Sequence, residues 1–152
     1  MTHALKRESI IPRLDGIARD VEKLTGYAQR GLSAVKANDE IFSLCQFYLH
    51  RALEGVFHIG EHILSRLNGG RATEYKEIAR LLGEKGIVDK KFADTQLKAM
   101  AGYRNRLTHF YADITPEEIF SLLSKNLDDF HTFLAAIKRL LKNPSQFGLT
   151  LE

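Results

Sequence analysis

The sequence predicts an all-α protein: an up-down bundle of four longer helices plus one short crossover helix, in a single domain spanning residues 1–152. Three observations carry this. Apolar residues recur at steps of three and four along most of the chain. Gly and Pro are sparse, 11 and 3 in 152 residues. No run resembles a strand bounded by turn residues.

The first helix is expected from about Leu5 into the mid-thirties, where Ile10, Leu14, Ile17, Val21, Leu24 and Ala28 form one stripe. Pro12 either begins its regular part or kinks it. Gly26 and Gly31 weaken its second half. Asn38 or Asp39 caps a second helix reaching about Leu67, roughly 43 Å at 1.5 Å per residue. Apolar residues cover most of that helix, which places it at the centre of the bundle, and Asn68-Gly69-Gly70 ends it. Thr73 opens a short third helix. Asp89 caps a fourth, which runs through Phe92, Leu97 and Met100 to Tyr103–Tyr111. Thr115-Pro116-Glu117-Glu118 starts a fifth, with a capping hydroxyl, Pro at the first helical position and acids in the first turn. That helix carries Ile119 to Leu141, and the tail from about residue 143 reads as irregular.

A chain of this length buries a core without staples. Its one cysteine, Cys45, permits no internal disulfide and reads as a buried, inert thiol in a reducing compartment. No 18-residue apolar stretch exists, and Met1–Glu8 holds no apolar signal core. No membrane association and a cytoplasmic location are therefore expected. The net charge of +3 permits nucleic-acid binding without arguing for it.

Chemistry concentrates in Arg104-Asn105-Arg106-Leu107-Thr108-His109-Phe110-Tyr111. One reading is a solvated face with a capping histidine. The other is phosphodiester chemistry: arginine offers a planar fork of donors to phosphate oxygens, and histidine moves protons near neutral pH. RNA brings its own nucleophile, the 2′-hydroxyl, so an Arg–His pair cleaves it without metal or cofactor. On an ideal helix Arg104 and His109 point about 140° apart. Either the helix frays before His109, or two chains pair and share the site.

Two other patterns compete. His58-Ile59-Gly60-Glu61-His62 spells an inverted zinc-protease motif, but zinc also needs a third ligand and a substrate cleft, and the remaining chain is far shorter than such proteases require, so no metal is assigned. Gln46, His50, Glu54, His58, Glu61, His62 and Ser65 form a polar stripe on the second helix. It reads either as that helix's solvated face or as a wall of a nucleic-acid cleft or partner surface. Arg51 and Glu54 are candidates to pair along it. Phe110 and Tyr103 are candidates for base stacking or for core packing.

The segment Met100–Tyr111 resembles the motif of HepT-like toxins of the HEPN superfamily: an arginine usually followed by Asn, a short spacer to His, and Tyr two residues beyond. Ile59-Gly60-Glu61-His62-Ile63-Leu64 resembles the family's second helix. Tyr75, Leu82 and Gly86-Ile87 resemble its crossover, and the similarity runs from about residue 38 to 140. Arg106 and Thr108 stand where the family is often apolar or variable. The resemblance implies a metal-independent endoribonuclease, the toxin of a type VII-like toxin–antitoxin pair, working as a homodimer with RNA as substrate. Arg104 would hold the scissile phosphate, His109 would act as general acid or base, and Asn105 would orient the site. Tyr111 would be adenylylated by an MNT-type nucleotidyltransferase antitoxin. The alternative is a non-catalytic helical partner of such a nucleotidyltransferase.

Overall fold

The computed structural model describes residues 3–152. Met1 and Thr2, part of the stretch read above for a signal core, lie outside the described residues. Helix α1 runs Arg7–Arg30 and α2 Leu32–Ala37. The single helix expected here is therefore two. Gly31, at φ 87°, closes α1 in a conformation that a side chain resists. Pro12 lies inside α1 rather than at its start. Ile10, Leu14, Ile17, Val21 and Leu24 are buried, as the stripe requires, and Ala28 is half-buried.

Helix α3, Asp39–Ser65, opens at Asn38, whose side chain accepts from the amides of Glu40 and Ile41 at 2.9 and 3.2 Å. It packs against α1, α4 and α6, so its broad apolar surface is consumed by neighbours on several sides. Helix α4, Tyr75–Glu84, starts after Glu74 rather than Thr73, with no side-chain cap. It closes on α3 at Gly60, where a Cβ would meet Leu82 and Ile78 at 2.9 and 3.0 Å.

Asp89 opens the next helical stretch by accepting from the Phe92 amide. That stretch is α5 (Lys90–Phe92), a wider π-helical turn (Ala93–Leu97) and α6 (Lys98–His109), where one regular helix was expected. Thr115 accepts from the Glu118 amide at 3.2 Å and starts α7, Pro116–Lys125. Asn126 and Leu127 interrupt the expected long helix, and α8 follows over Asp128–Lys142. Leu123 and Phe130 are buried on either side of the break and Leu127 within it, so the apolar rhythm continues across it.

The tail is not irregular. A 3-10 turn, Pro144–Phe147, leads to β2 (Thr150–Leu151), which pairs in parallel with β1 (Ala4–Leu5). Leu5 of β1 and Leu149, just before β2, are buried, and Lys6 bonds Glu152 at 2.7 Å. Arg66, just past α3, donates to the Ala4 carbonyl at 2.9 Å and ties this clasp to the bundle.

One continuous cluster of apolar side chains links the helices. Cys45 lies in it, and burial pushes its thiol pKa up to about 11, which keeps it an unreactive thiol. Among the described residues no helix is long and apolar enough to cross a membrane.

Candidate functional site

Helices α3 and α6 run antiparallel, and that register builds the site. Arg104 faces Glu54, Thr108 faces His50, and the Tyr111 carbonyl faces Gln46. Arg104 Nε donates to Glu54 Oε1 at 2.5 Å, and its Nη1 donates to Asn105 Oδ1 at 3.1 Å. The guanidinium carbon lies 4.1 Å from the centre of the Tyr75 ring. The Tyr75 hydroxyl in turn donates to Glu54 Oε2 at 2.8 Å. Glu54 thus binds the cation and the ring on which it stacks.

The electrostatics follow. Burial raises the Glu54 carboxyl, but the bonds from Arg104 and Tyr75 and the charge of Arg104 outweigh it and hold the group below the usual carboxylate range. Burial, then the bond to Glu54, pushes the Tyr75 hydroxyl pKa up to about 12, which keeps it a donor. His50 and His58, one turn to either side, each place Nε2 3.3 Å from a Glu54 oxygen.

An open groove of about 570 Å³ is bordered by Arg104, Asn105 and His109 on one side and Thr73–Lys76 on the other. Helix α6 does not fray before His109; the Phe110 amide still bonds the Arg106 carbonyl at 2.8 Å. Arg104 and His109 therefore border one groove from successive turns of an intact helix. Three of the sequence-predicted residues, Arg104, Asn105 and His109, come together there. Tyr111 stands beyond the helix end in a short 3-10 turn, with its side chain 66% exposed.

The remaining motif residues have other partners. Arg106 and Tyr103 both bond Glu118 of α7, at 2.8 and 2.7 Å, so Tyr103 is a packing residue. Burial and Glu118 raise its hydroxyl pKa strongly. Thr108 donates to the Arg104 carbonyl at 2.9 Å while meeting His50. Phe110 is 60% exposed.

Two expectations change. Arg51 does not pair with Glu54: it forms a two-pronged bond with Asp20 of α1, and Glu54 turns to Arg104. The α3 stripe is accordingly more than a solvated face, because His50 and Glu54 form one wall behind the motif. Glu54 was legible only as one member of the α3 polar stripe and Tyr75 only as part of the crossover, and sequence reasoning missed that both hold Arg104. The only local sign was a carboxylate flanked at i−4 and i+4 by histidines on an otherwise apolar helix. Of the two histidines in the zinc-like motif, His58 meets Glu54, whereas His62 accepts from the Lys6 amide at 3.1 Å.

An almost entirely helical fold with Arg104, Asn105 and His109 along one groove of α6 has the arrangement that the sequence resemblance implied. The chain belongs to the ribonuclease HepT-like family, whose model matches residues 17–137. It is 28% identical over 129 residues to the tRNA nuclease HepT of Aphanizomenon flos-aquae, covering 85% of this chain and 87% of that protein. It is 27% identical over 90 residues to the mRNA nuclease HepT of Shewanella oneidensis, covering 59% and 67%. The fold matches the tri-AMPylated Shewanella oneidensis HEPN toxin solved in complex with MNT antitoxin, with TM-score 0.76 at 23% identity, over 86% of this chain and 96% of that one. A toxin–antitoxin structure with AMP-PNP matches with TM-score 0.74 at 23% identity, over 85% and 95%.

Proposed function

We propose that the protein is the toxin of a toxin–antitoxin pair and a metal-independent endoribonuclease acting in the cytoplasm, with Arg104 and His109 as its catalytic residues. The observation that carries this reading is the shared groove, in which Arg104 is held by Glu54, Asn105 and the Tyr75 ring beside His109. Two relatives named as RNA nucleases support it.

The chemistry follows from the donors. Glu54 and Asn105 occupy Nε–H and one Nη1 hydrogen of Arg104, which leaves its remaining guanidinium hydrogens for the non-bridging phosphate oxygens. As the RNA 2′-oxygen attacks phosphorus and the bond to the 5′-oxygen breaks, negative charge grows on those oxygens and Arg104 stabilises it. His109 takes the 2′-proton or gives one to the leaving oxygen. The products are a 2′,3′-cyclic phosphate and a 5′-hydroxyl. Asn105 positions the guanidinium.

A two-fold homodimer that sets α6 against its copy supplies the second proton-transfer group, because Arg104 and His109 of both chains then line one cleft. Tyr111 is the modification site: its hydroxyl attacks the α-phosphate of ATP on an MNT-type nucleotidyltransferase, pyrophosphate leaves, and a tyrosyl-AMP diester remains. Its exposure suits that reaction, and the tri-AMPylated state of the Shewanella toxin supports it. Placed near Arg104, the added phosphate competes with RNA for the guanidinium.

The test is end-mapping of the products of purified protein in the presence of chelator. Cyclic phosphate and 5′-hydroxyl ends are expected; 5′-phosphate ends would require a different mechanism. The occupied state of Arg104 favours one second reading, a non-catalytic helical partner of the nucleotidyltransferase, which complete absence of cleavage together with retained nucleotidyltransferase binding would support.

A further inference from the structure

On the side of α3 facing α1, three aromatic rings are interleaved with three cations. Residues 23, 27 and 30 of α1, spaced by four and three, form one stripe; residues 47, 48 and 51 of α3 form the opposing one. Tyr27 stacks on Tyr48 with centroids 6.4 Å apart, and Phe47 meets Tyr48 edge-on at 5.5 Å. Lys23 Nζ lies 5.5 Å from the Tyr48 centroid and the Arg30 guanidinium 5.3 Å from that of Tyr27. Arg51 lies 4.9 Å from Phe47 and 5.6 Å from Tyr48.

This patch is not core. Phe47 is 52% exposed, Tyr27 and Tyr48 are half-buried, and the cations face solvent. The carboxylate joined to it is that of Asp20, which is 1% exposed and grips Arg51 at 2.9 and 2.6 Å. A buried anion therefore fixes the plane of an exposed guanidinium next to an exposed phenyl ring. Flat faces held rigid beside positive charge are what unpaired bases and their phosphates require.

We infer that this α1/α3 patch is a platform for single-stranded RNA, with bases stacking on Phe47 and Arg51 and phosphates meeting Lys23 and Arg30. The inference rests on the ribonuclease reading for its substrate class and extends it beyond the groove. Gln46, the neighbour of Phe47, bonds the Tyr111 carbonyl at 3.4 Å, so the platform begins where the α6 motif ends. A strand leaving the groove has a basic, aromatic track to follow. A second copy of the chain docked here about a two-fold axis would oppose cation to cation, which disfavours it as occupant.

The experiment is fluorescence anisotropy with a labelled mixed-sequence 12-nucleotide single-stranded RNA and its duplex. It uses the full chain in a His109→Ala background to prevent cleavage, with Phe47→Ala and the pair Lys23→Ala/Arg30→Ala as variants. Cleavage by the protein with His109 intact is measured in parallel. Phe47→Ala is expected to weaken single-strand binding about fivefold or more, with a smaller effect on the duplex. The double variant is expected to lower the slope of log affinity against log salt by about 0.7 per cation removed. Unchanged affinity and slope in variants with an unchanged melting temperature would overturn the platform, even if cleavage is normal. Altered sedimentation or lost nucleotidyltransferase capture, with RNA affinity intact, would also overturn it and make the patch a protein interface. Patch-dependent RNA binding without any cleavage would uphold the platform and defeat the ribonuclease reading.

Discussion

Arg104 and Glu54, fifty residues apart, form a hydrogen-bonded ion pair at 2.5 Å that is half-buried on both sides. The carboxylate neutralises the cation that the proposed chemistry needs, yet it also fixes where that cation points. These effects separate in the variant Glu54→Gln, which keeps the shape and removes the charge. RNA binding should tighten because an anion near the phosphate is gone, while kcat should fall about tenfold or more as the guanidinium loses its orientation. Steady-state kinetics and binding measured side by side check this. A parallel fall in both quantities would point to a merely structural role.

Mixing two inactive proteins tests whether the site is shared. If Arg104 and His109 act together across the two-fold axis, a mixed dimer of Arg104→Ala and His109→Ala chains retains one intact site. Random assortment then restores activity, up to about a quarter of the original and less where the second His109 is also needed for proton transfer. A mixture as silent as its components would place each site within one chain.

Tyr111 bonds the rest of the protein through its carbonyl, and its ring stands in solvent. Tyr111→Phe should shift stability by no more than about 0.5 kcal/mol. Cleavage should survive, and silencing by the nucleotidyltransferase partner should be lost, as read by mass spectrometry for the added AMP and by residual RNase activity. Full silencing of the variant would reject Tyr111 as the modified residue.

His62 gives a pH signature. Burial first, then the charges of Arg66, Arg13 and Lys6, holds its imidazole below the ordinary value of 6.5. Its Nε2 must also keep a lone pair to accept from the Lys6 amide. The unfolded chain takes up this proton first as pH falls, so the contribution is complete above about pH 6.5 and declines below it. The melting temperature should drop from pH 7.5 to 5.5, and the drop should shrink in His62→Gln, which keeps an acceptor without the charge. Glu54 is also depressed, but its loss of stability begins below about pH 4.5, outside that interval.

Arg51→Ala should cost about 2–3 kcal/mol in denaturant unfolding, because it strands the buried Asp20 carboxylate. The figure lies below that for a fully buried pair because the Arg51 side chain is 55% exposed and water screens it.

Local signals in the sequence placed much of the fold. Asn38, Asp89 and Thr115 each cap the helix their residue type suggested, and the stripe from Ile10 to Leu24 is buried. What failed to show was either too short or too distant to leave a period. A two-residue strand such as Ala4–Leu5 carries no alternation, and its partner lies at the far end of the chain. The breaks at Gly31 and Asn126 interrupt helices whose apolar spacing continues across them. In the candidate site, Arg104, Asn105 and His109 were legible as a cluster because they lie within one segment. The Glu54–Arg104–Tyr75 arrangement was not, because side-chain pairing between helices depends on register. Register likewise decides Arg51 and Glu54: spacing along α3 suggests that they pair, yet each takes a partner on another helix, Asp20 and Arg104.

The decisive measurement is cleavage of RNA by purified wild-type protein, Arg104→Ala and His109→Ala, side by side in excess chelator and with equal folding verified. Wild type should cut and each variant should lose at least about a hundredfold in rate, within the range for removing a proton-transfer group or a charge-stabilising donor. Equal cutting by all three proteins would contradict this mechanism, as would a wild-type activity abolished by the chelator.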